Sequence, residues 1–287
     1  MSSRTGKACS IHGDRMKKNM LLGVCLLLFL DLLFFLMILQ DKSREKESIH
    51  SHSIARLLLL AKEPLGQTMY VWGGGWNEED TGAGEETRRL GLSPAWKEFA
   101  GKQDEHYDYR STRYQIHDGL DCSGYIGWAV YNLLETRDGK EGYVVRAEDM
   151  AESLAQRKLG RFTEATEVDD WQAGDVMSME GHVWMALGAC DDGSVVLIHA
   201  SPPEVSLSGT KLPDGGASMA ELLAEEYMST YYSQWTEKYP VTGCAHNYLT
   251  DSASFRWSEA VLSDEEGLRS MSGEEVLQWL FEEKDGQ

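Results

Sequence analysis

GLDCSGY, residues 119–125, sets a cysteine in the first turn of a predicted helix. The apolar residues that follow recur at three- and four-residue spacing, which predicts a helix with one buried face: Ile126, Ala129, Val130, Leu133 and Leu134. Asp121 is a favoured N-cap residue, so Cys122 lies among unpaired backbone N–H groups at the positive end of the helix dipole. That environment stabilises a thiolate, as a nucleophile requires. The alternative is that Cys122 is a small buried hydrophobic residue beside a helix cap.

An apolar run of about 20 residues, LLGVCLLLFLDLLFFLMILQ, occupies residues 21–40 and is long enough to cross a membrane as a helix. Asp31 lies at its centre, but the many Leu and Phe residues outweigh the cost of this charge, which is either tolerated by local water or paired with another membrane helix. Polar residues follow the run, which favours an uncleaved anchor over a signal peptide. Basic residues exceed acidic ones before it, so the positive-inside rule predicts a cytoplasmic tail at 1–20 and an external remainder.

The composition suits a folded protein with an acidic surface. The 287 residues are 42% hydrophobic and 10% aromatic, enough for one large domain or two small ones, and the net charge of −20 argues against nucleic acid as a partner. The external part holds Cys122, Cys190 and Cys244, so at least one thiol is unpaired; a Cys190–Cys244 bridge and two reduced thiols are equally open. No C-x-x-C pair is present, which disfavours structural zinc, and we expect neither a metal nor a cofactor.

Composition also predicts the segments between the anchor and the cysteine. Residues 41–54 are charged and polar and predict a juxtamembrane linker, and a helix is expected from about Ser53 to Ala61. The polar, glycine-rich stretch 76–119 predicts a long surface insertion with one weak helix at SPAWKEFAGK.

After the cysteine helix, strands are predicted at DDWQAGDVMSM, HVWMALG and SVVLIHAS. Further along, Ser218 with Glu221 and Ser272 with Glu275 form capping-box signatures before apolar helical patterns. Residues 206–287 are therefore predicted to be a helical C-terminal extension.

His182 and His199 each lie in a predicted strand, and the turn between these strands decides whether they meet. A six-residue hairpin loop over 188–193 would set the histidines directly opposite, with Cβ atoms about 4.5–5.5 Å apart. Any even-length loop keeps them on one face, whereas an odd loop or a bulge would separate them. A neutral imidazole oriented by a second histidine is the base that a cysteine nucleophile needs, so we predict Cys122, His182 and His199 as the catalytic residues.

Five motifs, in this order, resemble those of the NlpC-type cell-wall cysteine peptidases: YVWGG at 70–74, DCSGY at 121–125, WQAGDVMSM at 171–179, GHVWMALG at 181–188 and LIHAS at 197–201. The resemblance covers residues 55–205. It implies an α+β, papain-like core in which the nucleophile helix packs on an antiparallel sheet.

The resemblance also implies a role for each matching residue. Cys122 is the nucleophile, His182 the base and His199 the residue that orients the base. The positions that match the family's substrate-binding residues are Tyr70, Asp121, Ser123 and Arg146.

The function implied is that of a membrane-anchored extracellular endopeptidase of a Gram-positive bacterium. It would hydrolyse peptidoglycan stem peptides between D-glutamate and the diamino acid, with the membrane holding residues 21–40. An acyl transferase or amidase of the same fold, or a non-catalytic wall-binding module, is the alternative. The chain departs from the family in the length of the insertion 76–119. We expect the insertion to fold over one end of the groove and limit which peptides enter, or else to be a mobile loop without a role.

Overall fold

The computed structural model describes residues 52–134 and 141–283, which belong to one compact unit. The predicted cytoplasmic tail at 1–20, the anchor at 21–40 and the linker up to residue 51 lie outside these residues. Within the described ranges, no helix is both long enough and apolar enough to cross a membrane.

The helices that come before the strands are α1 (Ile54–Lys62), α2 (Pro94–Ala100), α3 (Cys122–Leu133) and α4 (Met150–Gln156). α1 begins within one residue of the predicted start, and Ser53 is its N-cap, because its hydroxyl oxygen accepts a hydrogen bond of 3.1 Å from the Arg56 N–H. α2 is the weak helix predicted within the insertion. These local predictions are confirmed.

The cysteine helix α3 is buried on all sides. The apolar periodicity predicted one buried face, but every residue from Cys122 to Leu133 is buried. One side of α3 packs against the sheet and α1. The other side is covered by the insertion, which the sequence pattern did not place there.

The strands form one antiparallel sheet of six: β1 (Gly160–Thr163), β2 (Val176–Met179), β3 (His182–Ala189), β4 (Val195–Ser201), β5 (Glu204–Gly209) and β6 (Ala253–Trp257). Their spatial order is β1-β6-β2-β3-β4-β5, and each neighbouring pair runs antiparallel. The side chains of β3 and β4 that face α3 enter the main hydrophobic core: Val183, Met185, Leu187, Val196 and Ile198. The protein is therefore α+β, with the cysteine helix packed on an antiparallel sheet.

The region after residue 205 is not a purely helical extension. The predicted boundary falls inside β5, and β6 inserts between β1 and β2. Its sequence, ASFRW, is too short to stand out as a strand, and it pairs with partners far away in the chain. The helices of this region are α5 (Met219–Tyr231), α6 (Ser233–Thr236), α7 (Asn247–Thr250) and α8 (Gly273–Gln278). Both predicted capping boxes are present, at the starts of α5 and α8.

The insertion 76–119 packs against α3 instead of standing off as a surface loop. Trp96 is 1% exposed and its ring meets that of Trp128 edge-on at 5.9 Å. The Gly91 N–H donates to the side-chain oxygen of Asn132 at 2.6 Å. Each contact joins the insertion to α3. A segment that buries a tryptophan against the cysteine helix α3 is part of the folded core.

Candidate active site

Two glycine motifs touch where α3 begins. A Cβ atom on Gly124 would lie 2.1 Å from the Gly74 carbonyl oxygen, so only glycine allows this approach. The Asp121 N–H donates to the same Gly74 oxygen at 2.9 Å. The backbone of YVWGG is thereby fixed against the backbone of DCSG. This contact explains why both motifs carry glycine, and it places Tyr70 beside Cys122.

Asp121 caps α3, as predicted. Its Oδ1 accepts from the Gly124 N–H at 2.7 Å and from the Ser123 hydroxyl at 2.8 Å, and the Gly73 N–H also donates to the carboxylate. Burial raises the pKa of Asp121 to about 6, although these hydrogen bonds oppose the shift. The carboxylate thus stabilises the helix start and holds the loop that contains Gly73.

Two effects act in opposite directions on the Cys122 thiol. Burial raises its pKa to about 12, and the negative charge of Asp121 adds to the shift. Backbone N–H groups, including that of Val183, lower the pKa but do not offset the burial. A helix dipole contributes roughly 0.3–1 kcal/mol, less than one pKa unit, whereas full burial shifts a pKa by up to about 3–5 units. Burial therefore opposes the thiolate that the helix start favours.

The two histidines meet. His182 Nε2 lies 3.0 Å from His199 Nδ1, and their ring planes are nearly perpendicular at 82°. Burial lowers the pKa of His182 to about 4, and burial together with the neighbouring His182 lowers that of His199. Both rings are therefore neutral at pH 7. If His182 is to accept a proton on Nδ1, its Nε2 must carry the hydrogen and donate it to His199, and we assign this tautomer on that basis.

The register between β3 and β4 differs from the predicted one. Met185 pairs with Ile198, which places position 184, not 182, opposite His199. The turn after Ala189 has five residues. In addition, β3 has a bulge between Ala186 and Gly188. Either irregularity alone would move one histidine to the other face. Together they cancel, and the histidines share a face with a diagonal offset of two residues.

Val183 connects the histidines to the cysteine. The pairing of β3 with β4 begins at Met185 and Ile198, so these two strands are not paired with each other near His182. The Val183 N–H interacts there with the Cys122 sulfur. Cys122 thus lies beside the residue that follows His182. Among the described residues, no hydrogen bond yet joins the thiol to the imidazole.

Tyr248, in α7, was missed by the sequence analysis. Its ring lies 5.4 Å from that of His182 and 6.3 Å from that of His199. Its hydroxyl hydrogen-bonds the Cys244 thiol, whose sulfur is 3.3 Å from the Ser208 hydroxyl. Tyr248 therefore packs on both histidines, and its hydroxyl is hydrogen-bonded to Cys244. No local pattern in AHNYLT indicates this position, because it depends on where α7 packs.

All three cysteines of the described residues are free: Cys122, Cys190 and Cys244. Of the two alternatives left open by the sequence, the structure thus has reduced thiols and no Cys190–Cys244 bridge. Cys190 lies in the turn between β3 and β4, and Cys244 lies behind Tyr248.

The predicted substrate-binding residues occupy different environments. The Tyr70 ring is buried near the Cys122 sulfur and meets the Tyr109 ring edge-on at 5.6 Å. The Ser123 hydroxyl accepts from the Trp76 indole N–H at 2.9 Å while donating to Asp121, so it is internally satisfied. Arg146 is exposed and pairs with Glu148. Tyr70 and Ser123 are therefore near the thiol, and Arg146 is not joined to it by any described contact.

Comparisons with family models, curated proteins and solved structures gave no match to this chain. In the part of the chain that the structure describes, no group of three His, Cys, Asp or Glu side chains is arranged to hold a metal ion.

Proposed function

We propose that this chain is a papain-like cysteine peptidase of the NlpC type, with Cys122 as nucleophile, His182 as base and His199 as the residue that orients the base. One observation carries the proposal. A buried cysteine begins a helix beside Val183, and the preceding residue, His182, contacts a second buried histidine at 3.0 Å. A free thiol that contacts the backbone beside a paired, neutral imidazole supplies the groups that nucleophilic catalysis uses.

The mechanism starts from a neutral pair. As the Cys122 sulfur bonds to the substrate carbonyl carbon, its proton passes to His182 Nδ1 and the π electrons of the carbonyl move to its oxygen. The oxyanion and the imidazolium thus form together. The Cys122 N–H, in the first turn of α3, is the group that would donate to the oxyanion. His182 then returns the proton to the leaving amine. Water, deprotonated by His182, attacks the acyl-enzyme thioester and releases the acid and the free thiol.

The proposed substrate follows from the family resemblance. It is the peptidoglycan stem peptide, cut between D-glutamate and the diamino acid, on the outer face of a membrane in which residues 21–40 are the anchor. The net charge of −20 does not favour nucleic acid or other polyanions as alternatives.

The test is mass spectrometry of purified wall fragments incubated with the full-length chain in mild detergent. Fragments cleaved at the glutamyl bond are expected with the wild type and with Cys190→Ala, which removes a buried thiol away from the histidines. Cys122→Ala should give none, because no covalent route remains. Cleavage by Cys122→Ala at the wild-type rate would refute the proposed nucleophile.

The same assay separates the alternatives. An acyl transferase would pass the acyl group to an added amine. The mass of the product would equal that of the acid released by hydrolysis plus the amine minus one water. A wall-binding module would retain the wall fragments uncleaved. Neither has a structural feature in its favour over hydrolysis.

A further inference from the structure

Beside the site lies an exposed arginine held between two aromatic rings. The Arg113 guanidinium is 4.6 Å from the centre of the Trp72 ring and 5.1 Å from that of Tyr114. Both rings are unusually open to solvent for their size, at 43% and 58% exposure. We call Trp72, Arg113 and Tyr114 the Arg113 stack.

The stack is held rigidly. Tyr114 has φ = 69°, a left-handed conformation that a non-glycine residue rarely adopts, and its N–H donates to the Trp72 carbonyl oxygen at 2.9 Å. Its ring rests on Gly73, where an added Cβ would lie 3.2 Å from the Tyr114 ring. The conformation keeps an aromatic ring at the surface, and such strained residues tend to cluster at functional sites.

The stack is only a few residues from the nucleophile. Gly73 follows Trp72, and its N–H donates to the carboxylate of Asp121, the neighbour of Cys122. Tyr70, two residues before Trp72, lies near the Cys122 sulfur. Because consecutive Cα atoms are about 3.8 Å apart, the backbone of Trp72 lies within about 12 Å of that of Cys122.

The charge of Arg113 is not neutralised by any described side chain. By contrast Arg110, on the same segment, has Asp108 at 3.6 Å. Two ring faces pre-orient the Arg113 guanidinium, and its planar set of N–H donors matches a carboxylate. On a chain with net charge −20, an unpaired cation at this position favours an anionic group of the substrate.

We propose that the Arg113 stack is a subsite for a free carboxylate of the substrate. The inference rests on the proposed function and adds to it a requirement for charge on the peptide. A stem peptide with lysine as its diamino acid offers two such groups, the α-carboxylate of the γ-linked glutamate and the carboxylate of its C-terminus.

The experiment compares three synthetic tetrapeptides of sequence Ala-γ-D-Glu-Lys-D-Ala with the full-length chain in detergent. One has both carboxylates free, one has the glutamate α-amide and one has the C-terminal amide. Amidation of the recognised carboxylate should raise KM about 10- to 100-fold with little change in kcat, as expected for the loss of a charged hydrogen-bonded pair. The peptide that is affected identifies the carboxylate.

Arg113→Gln should raise the KM of the free-acid peptide to that of the amidated peptide. The KM of the amidated peptide should not change. Arg113→Lys should retain only part of the KM difference between acid and amide, because lysine lacks the planar donor set. Arg110→Gln is the matched control and should keep the wild-type difference in KM between the free-acid and the amidated peptide. Equal KM values of wild type and Arg113→Gln on all three peptides would overturn the inference while leaving the peptidase intact.

Calorimetry of the same peptides with Cys122→Ala gives a readout that does not need turnover. If the wild type cleaves none of the peptides, the proposed function fails for this substrate. The subsite would still be supported by carboxylate-dependent binding that Arg113→Gln abolishes, and it would be refuted by an equal affinity for acid and amide.

Discussion

Glu204→Gln should stabilise the protein at neutral and alkaline pH. Glu204 opens β5 and is 2% exposed, and its Oε2 has no hydrogen-bond partner in the structure. Burial raises the pKa of its carboxyl from the ordinary 4.5 to about 9. The folded state therefore holds a proton that the unfolded chain releases above pH 4.5. The stability that this proton provides is fully present below pH 4.5 and is lost as the pH rises to about 9.

The size of the effect follows from that interval. One pKa unit corresponds to about 1.36 kcal/mol, so three units between pH 4.5 and pH 7.5 remove on the order of 4 kcal/mol of unfolding free energy. Glutamine has nearly the same shape and does not ionise. The variant should thus match the wild type near pH 4.5 and exceed it increasingly up to pH 9.

The assay is urea unfolding followed by tryptophan fluorescence at pH values from 5 to 9. Glu225→Gln, at an exposed position of α5, is the control and should run parallel to the wild type. A constant difference between Glu204→Gln and wild type across the pH range would refute the assignment of a buried, protonated carboxyl to Glu204.

Two further variants test the site and the insertion. Tyr248→Leu should lower kcat about tenfold or more because the histidine rings lose the ring that packs on them, whereas Tyr248→Phe should stay close to wild type. An unchanged kcat in Tyr248→Leu would mean that the histidine pair is held without this ring. Trp96→Ala should lower the unfolding free energy by about 3–5 kcal/mol, whereas Trp72→Ala at its exposed position should have a small effect. A melting temperature near wild type for Trp96→Ala would restore the view of the insertion as a detachable loop.

The features that the sequence predicted correctly are those coded by neighbouring residues. Asp121 caps α3 through an N–H three residues away, and Ser218 caps α5 in the same manner. β3 and β4 were found from their short apolar runs. In each case the residues that determine the structure lie within one or two turns of each other.

The features that were missed depend on contacts between distant parts of the chain. Tyr248 reaches His182 from more than sixty residues further along, and Trp96 reaches Trp128 from the insertion. The burial that opposes a thiolate at Cys122 was missed because a helix start is visible in sequence whereas burial is not. The two histidines share a face because the five-residue turn and the bulge in β3 compensate each other, and not because of the expected six-residue loop.

The central position of β6 ties the order of synthesis to the completion of the sheet. β6 lies between β1 and β2 but is made about seventy residues after β2, so both neighbours emerge from the ribosome with an unpaired edge. Such long-range pairing is slow to form, and it leaves the half-built sheet open to wrong partners in the meantime. A nascent chain that ends before α7 also lacks Tyr248, whose ring packs on both histidines. A chain whose translation has not passed residue 257 therefore lacks the strand that joins β1 to the rest of the sheet.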